Sequence, residues 1–462
     1  MMETRKEIDP LGERLIPQDA YFGIQTLRAT ENFPISGIKA PFQFIKAYVL
    51  IKKVAAHSNM QVGWLEKEKA KAIIRACDEV FDGKLVDQFI VDVFQAGAGT
   101  SFNMNVNEVV ANRALEILGK PKGDYKTVNP NDHVNMGQST NDTFPTALHI
   151  SVLMSLQPLL SSLDDLANAF NELGKKYAHV LKSGRTHLQD AIPMTIGQEF
   201  TAYASAITNA CAELRKREEN LYLVALGGTA VGTGANTHPQ YKQIAIAELA
   251  KLSGFPLKPA TNNFEALQSH RPAQTVSSGL KELALELIRI ANDLRFLASG
   301  PTTGLNEIVL PPVQPGSSIM PGKVNPVMAE CLDMVAYQVV GNDLAVSCAV
   351  QAGQLELNVM TPTIMYNMLF SIQILANYIP VFTNKCVKGI TVNEKQCSQY
   401  LEKNPALATL LSPYIGYLEA AKIAKQALAE NRSVKDIILE KNLLKPEEIK
   451  KIFSRNNLLN EQ

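Results

Sequence analysis

Apolar residues recur at steps of three and four over long stretches in the middle of this sequence. In the segment "VSSGLKELALELIRIANDLRFLAS" they stand at Val276, Leu280, Leu283, Leu287, Ile290, Leu294 and Leu297. A helix places residues three and four positions apart on one face, so this spacing predicts a long helix. Its apolar seam is expected to pack against other helices.

Three further segments between about residues 140 and 390 have similar patterns. In "IGQEFTAYASAITNACAEL" the seam residues are Ile196, Phe200, Tyr203, Ile207, Ala210 and Leu214. The other two segments begin at Asp142 ("DTFPTALHISVLMSLQPLLSSLDDLANAFNELGKKY") and at Val327 ("VMAECLDMVAYQVVGNDLAVSCAVQAGQ"). All four exceed the usual length of a globular helix. Long helices with facing seams predict a helix bundle.

A chain of 462 residues is too long for one ordinary core. Residues 1–138 carry shorter helical patterns, and the C-terminal part has helix starts at Ser433 and near Pro446. We therefore predict a mainly α, three-domain chain. Its parts are an N-terminal mostly helical domain (1–138), a central long-helix bundle (139–392) and a small C-terminal helical domain (393–462).

The charge balance excludes some partners. The sequence has 45 Lys plus Arg and 45 Asp plus Glu, which argues against a nucleic-acid or anionic-membrane surface. No apolar run is expected to be long enough to span a bilayer. The N-terminus has no apolar signal core, and the six cysteines form no C-x-x-C pair. These features predict a cytoplasmic protein with no nucleic-acid and no membrane partner.

Four segments rich in small polar residues interrupt the helical patterns. They are interpreted as loops that precede long helices, and they cover Gly97–Glu108, Asn129–Asp142, Ser183–Met194 and Gly316–Pro326. Helix capping alone explains any one of them. Together they offer many neutral hydrogen-bond donors, with positive charge only from Arg185 and Lys323. This composition favours a small ligand that carries its own carboxylates.

His187 lies in one of these polar segments rather than on an apolar stripe, which favours a role in a site. No spacing of His, Cys, Asp and Glu matches a metal site. No G-x-G-x-x-G follows a predicted strand. We therefore expect neither a metal nor a cofactor.

The segment "GSSIMPGKVNP" resembles the signature of the class II fumarase/aspartase superfamily. "GAGTSFNMNVNE", "HVNMGQSTND" and "GRTHLQDAIPMTIGQEF" resemble its other characteristic regions, and matches near both ends extend the resemblance over essentially the whole chain. The resemblance implies a homotetramer in which five central helices of each chain form a twenty-helix core. It also implies active sites built from three different subunits, each binding a small dicarboxylate.

Members of this superfamily add or remove H–X across a four-carbon dicarboxylate, usually with fumarate as product. The resemblance implies an aci-carboxylate intermediate, whose extra charge is stabilised by aimed hydrogen-bond donors. The residues implied to bind this carboxylate are Thr100, Ser139, Thr140 and Ser318. Those implied to bind the other carboxylate are Thr186, Lys323 and Asn325. Those implied to approach the leaving group are Asn141 and His187.

The resemblance gives the role of base to Ser317, with His187 and Lys323 completing the catalytic set. A serine hydroxyl is a poor base at its ordinary pKa, so loop amides and a nearby cation such as Lys323 must stabilise its oxyanion. Glu330 is a candidate supporting residue. It is equally suited to be a first-turn carboxylate of the following helix.

Short differences near the site separate the branches of the superfamily. "GTS" (99–101), "QSTND" (138–142) and "AGQLELNVMTP" (352–362) resemble the aspartase branch, which eliminates ammonia from L-aspartate. "LGGTAVGTGANTHP" and "NNFEALQSH" look more like the fumarase branch, but both are expected to lie outside the loops that touch the leaving group. Thr302 stands where the superfamily commonly has arginine in S-G-P-R.

Alternatives to ammonia elimination remain open. The first is class II fumarate hydratase chemistry, in which water leaves L-malate. Lyases with larger leaving groups depart further from this pattern. A helical scaffold protein that keeps the fold without the chemistry is also possible, but Ser317, Thr186, His187, Lys323 and Asn325 are all present.

Overall fold

All four long helical patterns form helices in the computed structural model of the protein, which describes residues 3–460. The helices are α1 (Ile24–Asn32), α2 (Phe42–Gln61), α3 (Lys67–Phe81), α4 (Thr100–Ile117), α5 (Thr140–Lys176), α6 (Ile196–Glu218), α7 (Tyr241–Ser253), α8 (Asn263–Gln268), α9 (Arg271–Leu297), α10 (Val327–Val350), α11 (Thr361–Lys385), α12 (Glu394–Lys403), α13 (Ser412–Ile415), α14 (Tyr417–Glu430), α15 (Val434–Glu440), α16 (Pro446–Ile452) and α17 (Arg455–Leu459). The prediction of a mainly α chain is confirmed.

Short strands pair two by two between the helices. They are β1 (Thr4–Asp9), β2 (Gly12–Pro17), β3 (Leu181–Thr186), β4 (Gln189–Thr195), β5 (Leu223–Val224), β6 (Lys258–Pro259), β7 (Ile308–Val309) and β8 (Thr391–Val392). The pairs β1–β2, β3–β4 and β7–β8 are antiparallel, whereas β5–β6 is parallel. Of these, the β3–β4 hairpin bears directly on the candidate site.

Within the described chain, the helices longer than 20 residues are α5, α6, α9, α10 and α11. The predicted seam of α9, from Val276 to Leu297, is buried at every position. The sequence patterns identified four of these helices. The other one, α11, was not identified from the sequence.

The chain divides into two compact units. Unit 1 contains residues up to 160, 212–284 and 336–376, and unit 2 contains residues 161–211, 285–335 and those from 377 on. Each of the long helices α5, α6, α9, α10 and α11 contributes residues to both units. The three-part division at 138 and 392 stays a prediction.

Each unit has its own apolar core. In unit 1, the rings of Phe44, Tyr48, Phe102 and Phe144 pack against one another, with Phe44 and Phe144 centroids 4.8 Å apart. In unit 2, the C-terminal helices share a buried cluster that includes Leu411, Ile423, Ile438 and Ile452.

The predicted helix starts in the C-terminal part are confirmed. Ser433 caps α15 by accepting a hydrogen bond from the Asp436 amide at 3.0 Å, and Pro446 is the first residue of α16.

Two helical segments, Thr140–Lys176 and Thr361–Gly389, are long and apolar enough to cross a membrane by length and composition alone. The expectation that no apolar run reaches this length was therefore wrong. In the first segment 72% of the apolar window is buried inside the protein, and in the second 50%. Packing within the protein accounts for much of the apolar character of α5, as in other helices that are hydrophobic on all sides.

Candidate active site

The four polar segments that were predicted as loops take different structures. Most of Gly97–Glu108 is helical, because α4 begins at Thr100. Asn129–Asp142 contains a short π-helix at Pro130–Val134 and the start of α5. Ser183–Met194 lies in the β3–β4 hairpin. Only the fourth, Gly316–Pro326, matches the prediction over its whole length, with neither helix nor strand in this described segment.

The first turn of α5 holds three predicted residues together. Ser139 precedes the helix, and its Oγ accepts a hydrogen bond from the Asn141 amide at 3.2 Å. Asp142 reaches back, and its Oδ1 accepts from the Ser139 amide at 3.0 Å. This reciprocal arrangement is a capping box, which satisfies amides that the helix itself leaves unpaired. Ser139, Thr140 and Asn141 are thereby fixed at the positive end of the helix.

The same carboxylate ties a second segment to this turn. Asp142 Oδ2 accepts hydrogen bonds from the backbone amides of Gly227 at 3.0 Å and Thr229 at 2.9 Å. Burial raises the pKa of Asp142 to about 6, while these amides and the charge of Lys52 act in the opposite direction. Asp142 thus anchors the 227–229 turn to the start of α5.

Asn141 contacts this segment as well. Its Nδ2 donates a hydrogen bond to the Ala230 carbonyl at 2.7 Å. The segment "LGGTAVGTGANTHP" therefore contacts one of the predicted site residues, while its place relative to the leaving group stays a prediction. Ala230 positions the side chain that the resemblance assigns to the leaving group.

A buried polar cluster behind Thr140 was missed by the sequence analysis. Lys52, on α2, is fully buried, and its Nζ donates to Asn103 Oδ1 at 2.7 Å, Gln138 Oε1 at 2.9 Å and Asn135 Oδ1 at 3.0 Å. Asn103 in turn donates from Nδ2 to Thr140 Oγ1 at 2.9 Å. Burial lowers the pKa of Lys52 to about 7. A lysine within an apolar helical pattern was the signal that could have revealed the cluster.

Thr100, also predicted to bind substrate, is the exposed first residue of α4. It follows Gly99, which has a φ of 84° and lies against the Phe144 ring, where a Cβ atom would overlap. Glycine is therefore required at this helix start. Within residues 3–460, no hydrogen bond joins Thr100 to the first turn of α5.

The β3–β4 hairpin carries Thr186 and His187 at its exposed end. Thr186 pairs with Gln189, and the two residues between them, His187 and Leu188, have φ values of 55° and 58°. Such a two-residue turn with positive φ at both positions matches the twist of the strands. Neither residue is glycine or asparagine, so the turn is strained, as is common at functional sites.

Buried ion pairs support this hairpin. Lys182 Nζ lies 2.6 Å from Glu199 Oε2 and 2.9 Å from Glu307 Oε2. Arg185 Nη2 donates to Glu307 Oε1 at 2.7 Å, and Glu307 is fully buried. Arg185, one of the two cations in the polar segments, is therefore engaged with a carboxylate of the protein.

The fourth polar segment closes on itself. The Gly316 amide donates to the Lys323 carbonyl at 2.9 Å, and Asn325 Nδ2 donates to the Gly316 carbonyl at 2.6 Å. These bonds bring Ser317, Lys323 and Asn325 into one turn. Ser318 and Lys323 are exposed, whereas Ser317 and Asn325 are partly buried.

Ser317 is the side chain best provided with donors in this loop. Its Oγ accepts hydrogen bonds from the backbone amides of Ile319 at 3.2 Å and Met320 at 3.0 Å. Two amides directed at one oxygen favour negative charge there, as in an oxyanion hole. The loop amides predicted for Ser317 are present, and its role as base stays a prediction.

Two clefts adjoin the loop. One, of about 440 Å³, is lined by the loop itself, including Ser317. The other, of about 920 Å³, is lined by Lys323 and Asn325 together with Arg295.

Glu330 lies in the first turn of α10, immediately after the loop. Thr302 is exposed. Residues 3–460 contain no cluster of three or more His, Cys, Asp or Glu side chains arranged to hold a metal ion.

The predicted site residues therefore form two groups, one in each unit. The group in unit 1 comprises Thr100, Ser139, Thr140 and Asn141. The group in unit 2 comprises Thr186, His187, Ser317, Ser318, Lys323, Asn325 and Glu330. In unit 2, no hydrogen bond between described residues joins the hairpin end to the Gly316–Pro326 loop.

Closure of the loop is testable through Gly316. A Cβ atom at this position would overlap the Lys323 carbonyl oxygen, so Gly316→Ala should break the hydrogen bond that closes the loop. One such bond contributes roughly 1 kcal/mol. We expect tryptic cleavage after Lys323 to be about five- to tenfold faster, because proteolysis follows the population of the open form.

The matched control is Ile319→Ala, which removes an exposed side chain from the same loop and leaves its backbone bonds in place. It should be cleaved at the wild-type rate. Equal cleavage of wild type and Gly316→Ala would show that the bond does not close the loop.

Known proteins resemble this chain over most of its length. A family model described as "Lyase" matches residues 12–341, and one described as "Fumarase C C-terminus" matches residues 407–460. An aspartate ammonia-lyase from Bacillus sp is 49% identical over 98% of this chain and 97% of its own length. A class II fumarate hydratase from Thermosynechococcus vestitus is 47% identical over 96% of each chain.

Among solved structures, the chain is similar to a protein from Brucella melitensis described as fumarate lyase:delta crystallin bound to cobalt. The TM-score is 0.94 at 48% identity, and the match covers 97% of this chain and 98% of that one. Matches of this extent in sequence and in fold confirm the predicted superfamily. The chain belongs to the fumarase/aspartase superfamily.

Proposed function

We propose that this protein is an aspartate ammonia-lyase, which reversibly eliminates ammonia from L-aspartate to give fumarate. Relatives with this activity match nearly the entire chain. The observation that carries the proposal is the environment of Ser317, whose Oγ accepts two backbone hydrogen bonds inside the signature loop. This arrangement suits a carbon–nitrogen lyase that begins with removal of a weakly acidic proton.

Ser317, as the alkoxide, takes a proton from the carbon next to one substrate carboxylate. The Ile319 and Met320 amides stabilise the alkoxide before the transfer, and the loop cation Lys323 adds to this. As the C–H bond breaks, its electron pair delocalises into the neighbouring carboxylate. The product of this step is an aci-carboxylate dianion and a neutral serine.

Neutral donors and one cation hold the two carboxylates. The residues proposed to bind the dianion are Thr100, Ser139, Thr140 and Ser318. Those proposed to bind the second carboxylate are Thr186, Lys323 and Asn325. Because Arg185 is engaged by Glu307, Lys323 is the loop cation left for the substrate. A donor that strengthens its bond as charge develops contributes to rate rather than only to binding.

Ammonia leaves in the second step. The electron pair returns from the aci-carboxylate to form the carbon–carbon double bond, and the carbon–nitrogen bond breaks with its pair going to nitrogen. Asn141 and His187 are proposed to face the leaving group. The Nδ2 of Asn141 donates a hydrogen bond to the Ala230 carbonyl. The Oδ1 of Asn141 therefore faces away from Ala230, where it can accept a hydrogen bond from an ammonium group. Glu330 is proposed to assist from the start of α10.

The decisive measurement follows fumarate by its short-wavelength ultraviolet absorbance, with L-aspartate and with L-malate as separate substrates. We expect kcat/KM for L-aspartate to be the larger. Faster turnover of L-malate would establish the alternative, a class II fumarate hydratase, which the relative from Thermosynechococcus vestitus represents. No turnover of either substrate would indicate a scaffold that has lost the chemistry.

The role of Ser317 is tested by Ser317→Ala. Loss of a positioned base typically lowers the rate by about 10²–10⁴-fold. We expect kcat with L-aspartate to fall by this factor, while circular dichroism and oligomer mass stay at wild-type values. A variant with near-wild-type kcat would remove Ser317 from the role of base.

We further propose that the protein works as a cytoplasmic homotetramer with shared active sites. Support comes from α10, where Tyr337, Gly341, Leu344 and Cys348 form an exposed seam at helical spacing. Tyr337 is 55% and Leu344 67% exposed. A Cβ atom at Gly341 would meet nothing within 4 Å, so this chain alone does not require glycine there. Close approach of a helix from a second copy would use both the glycine and the apolar seam.

Leu344→Asp places a charge in the middle of this seam. Burying an unpaired carboxylate against a second copy is costly, so we expect the mass measured by light scattering to fall below that of a tetramer. The matched control is Leu418→Asp on α14, where the leucine is 77% exposed. Its mass should be unchanged. A Leu344→Asp variant that stays tetrameric would place the subunit contact elsewhere.

A further inference from the structure

The hydrogen bonds of Lys52 fix the orientation of the side chains around it. An ammonium group has three hydrogens, and Lys52 directs one to each of three amide oxygens, on Asn103, Asn135 and Gln138. None of these partners is a carboxylate. The titratable groups that face Lys52 without a hydrogen bond are the Asp142 carboxyl and the Cys77 thiol, and burial raises the pKa of the thiol so that it stays neutral. The cluster therefore holds a cation by neutral oxygens alone.

This arrangement fixes the direction of the Asn103 amide. A carboxamide has one acceptor end and one donor end. Since Oδ1 of Asn103 faces the Lys52 ammonium at 2.7 Å, Nδ2 must point the other way, and it donates to Thr140 Oγ1 at 2.9 Å and to Asn135 Oδ1 at 3.3 Å. Reversing the amide would set two donors against each other.

The orientation of the Asn103 amide determines which way the Thr140 hydroxyl donates its hydrogen. Its oxygen accepts from Asn103, so its single hydrogen must be donated to another group. Within residues 3–460, no other hydrogen bond of this hydroxyl is present, and Thr140 begins α5. Thr140 is mostly buried, at 7% exposure, and its hydrogen is left for an acceptor that the described residues do not supply, at the positive end of a helix.

We propose that Lys52 and Asn103 are positioning residues that orient the Thr140 hydroxyl as a hydrogen-bond donor to the substrate carboxylate. The proposal rests on the proposed function, in which Thr140 binds the carboxylate that gains charge. The chain from ammonium to amide to hydroxyl is polarised in one direction, which strengthens its last bond. Lys52 thus acts on the site through Asn103 and the Thr140 hydroxyl.

The sharpest test is Asn103→Asp. The aspartate keeps an oxygen for Lys52, so the buried cation retains a partner. It presents a second oxygen to Thr140, which must then donate its hydrogen inward. We expect kcat/KM for L-aspartate to fall by about 10²–10³-fold, the usual effect of losing one donor to a developing oxyanion.

The matched control is Asn105→Asp, the same substitution two residues along α4. Asn105 is equally buried, accepts from the Ile90 amide and donates to the Gln88 carbonyl, and bonds neither Lys52 nor Thr140. We expect its folded fraction to keep kcat/KM within a few-fold of wild type. Equal losses in both variants would overturn the proposal, because a buried negative charge alone would then explain the effect.

A double-mutant cycle with Thr140→Val distinguishes an effect of Asn103 on the Thr140 hydroxyl from a nonspecific loss of activity. If Asn103 acts through the hydroxyl, adding Thr140→Val to Asn103→Asp should cost little more activity. Fully additive losses would overturn the proposal. Lys52→Met, which frees the Asn103 amide to reverse, should lower kcat/KM in the same direction. The Asn103→Asp cycle decides the matter even if Lys52→Met fails to fold.

Failure of the proposed function gives a different result. A wild-type protein that turns over L-malate but not L-aspartate would refute the ammonia-lyase assignment, and the same cycle would then be run with L-malate, which carries the same carboxylates. An active wild type with an equally active Asn103→Asp variant would refute only the positioning role. A wild type inactive with both substrates would refute both.

Discussion

A single buried carboxylate, that of Asp142, organises the polar end of unit 1. Its two oxygens accept backbone hydrogen bonds from Ser139, at the start of α5, and from Gly227 and Thr229, in a segment 85 or more residues further along the chain. Without it, these amides would be buried without partners, which folded proteins rarely tolerate. The directions of the Ser139, Thr140 and Asn141 side chains follow from this anchor, because it fixes the helix start that carries them.

The two groups of site residues are held in different ways. In unit 1, hydroxyls and amides are directed by buried partners such as Lys52 and Asp142, so they need little reorganisation when charge develops. In unit 2, the Gly316–Pro326 loop is held mainly by its own backbone and is largely exposed. A loop of this kind can open for substrate entry and close again at little cost. The proposed reaction uses the fixed group to stabilise charge and the loop to deliver the base.

The sequence predicted what depends on spacing within a segment. The seam of α9 and the cap of α15 at Ser433 are local patterns, and both are confirmed. The predictions were less accurate where contacts between distant residues determine the local structure. Gly97–Glu108 is mostly helical rather than a loop, because partners such as Lys52 form hydrogen bonds with its asparagine side chains. The hairpin end at His187 was missed because its turn lacks the usual glycine or asparagine. The three acceptors of Lys52 come from two segments that are distant from Lys52 in sequence, so no local pattern shows them.

Backbone contacts also explain why the sequence gives mixed signals about the leaving group. The segment "LGGTAVGTGANTHP" looks like the fumarase branch, yet its contact with Asn141 is through the Ala230 carbonyl. Every residue type offers that carbonyl, so the identity of residue 230 carries little information about the substrate. What matters is where Asp142 places the turn, since this decides which end of the Asn141 amide faces outward. On the proposed reaction, an outward oxygen accepts hydrogens from an ammonium group, whereas an outward NH₂ would repel it. Selection between ammonia and water would then depend on backbone position in this turn more than on the side chains that distinguish the two branches.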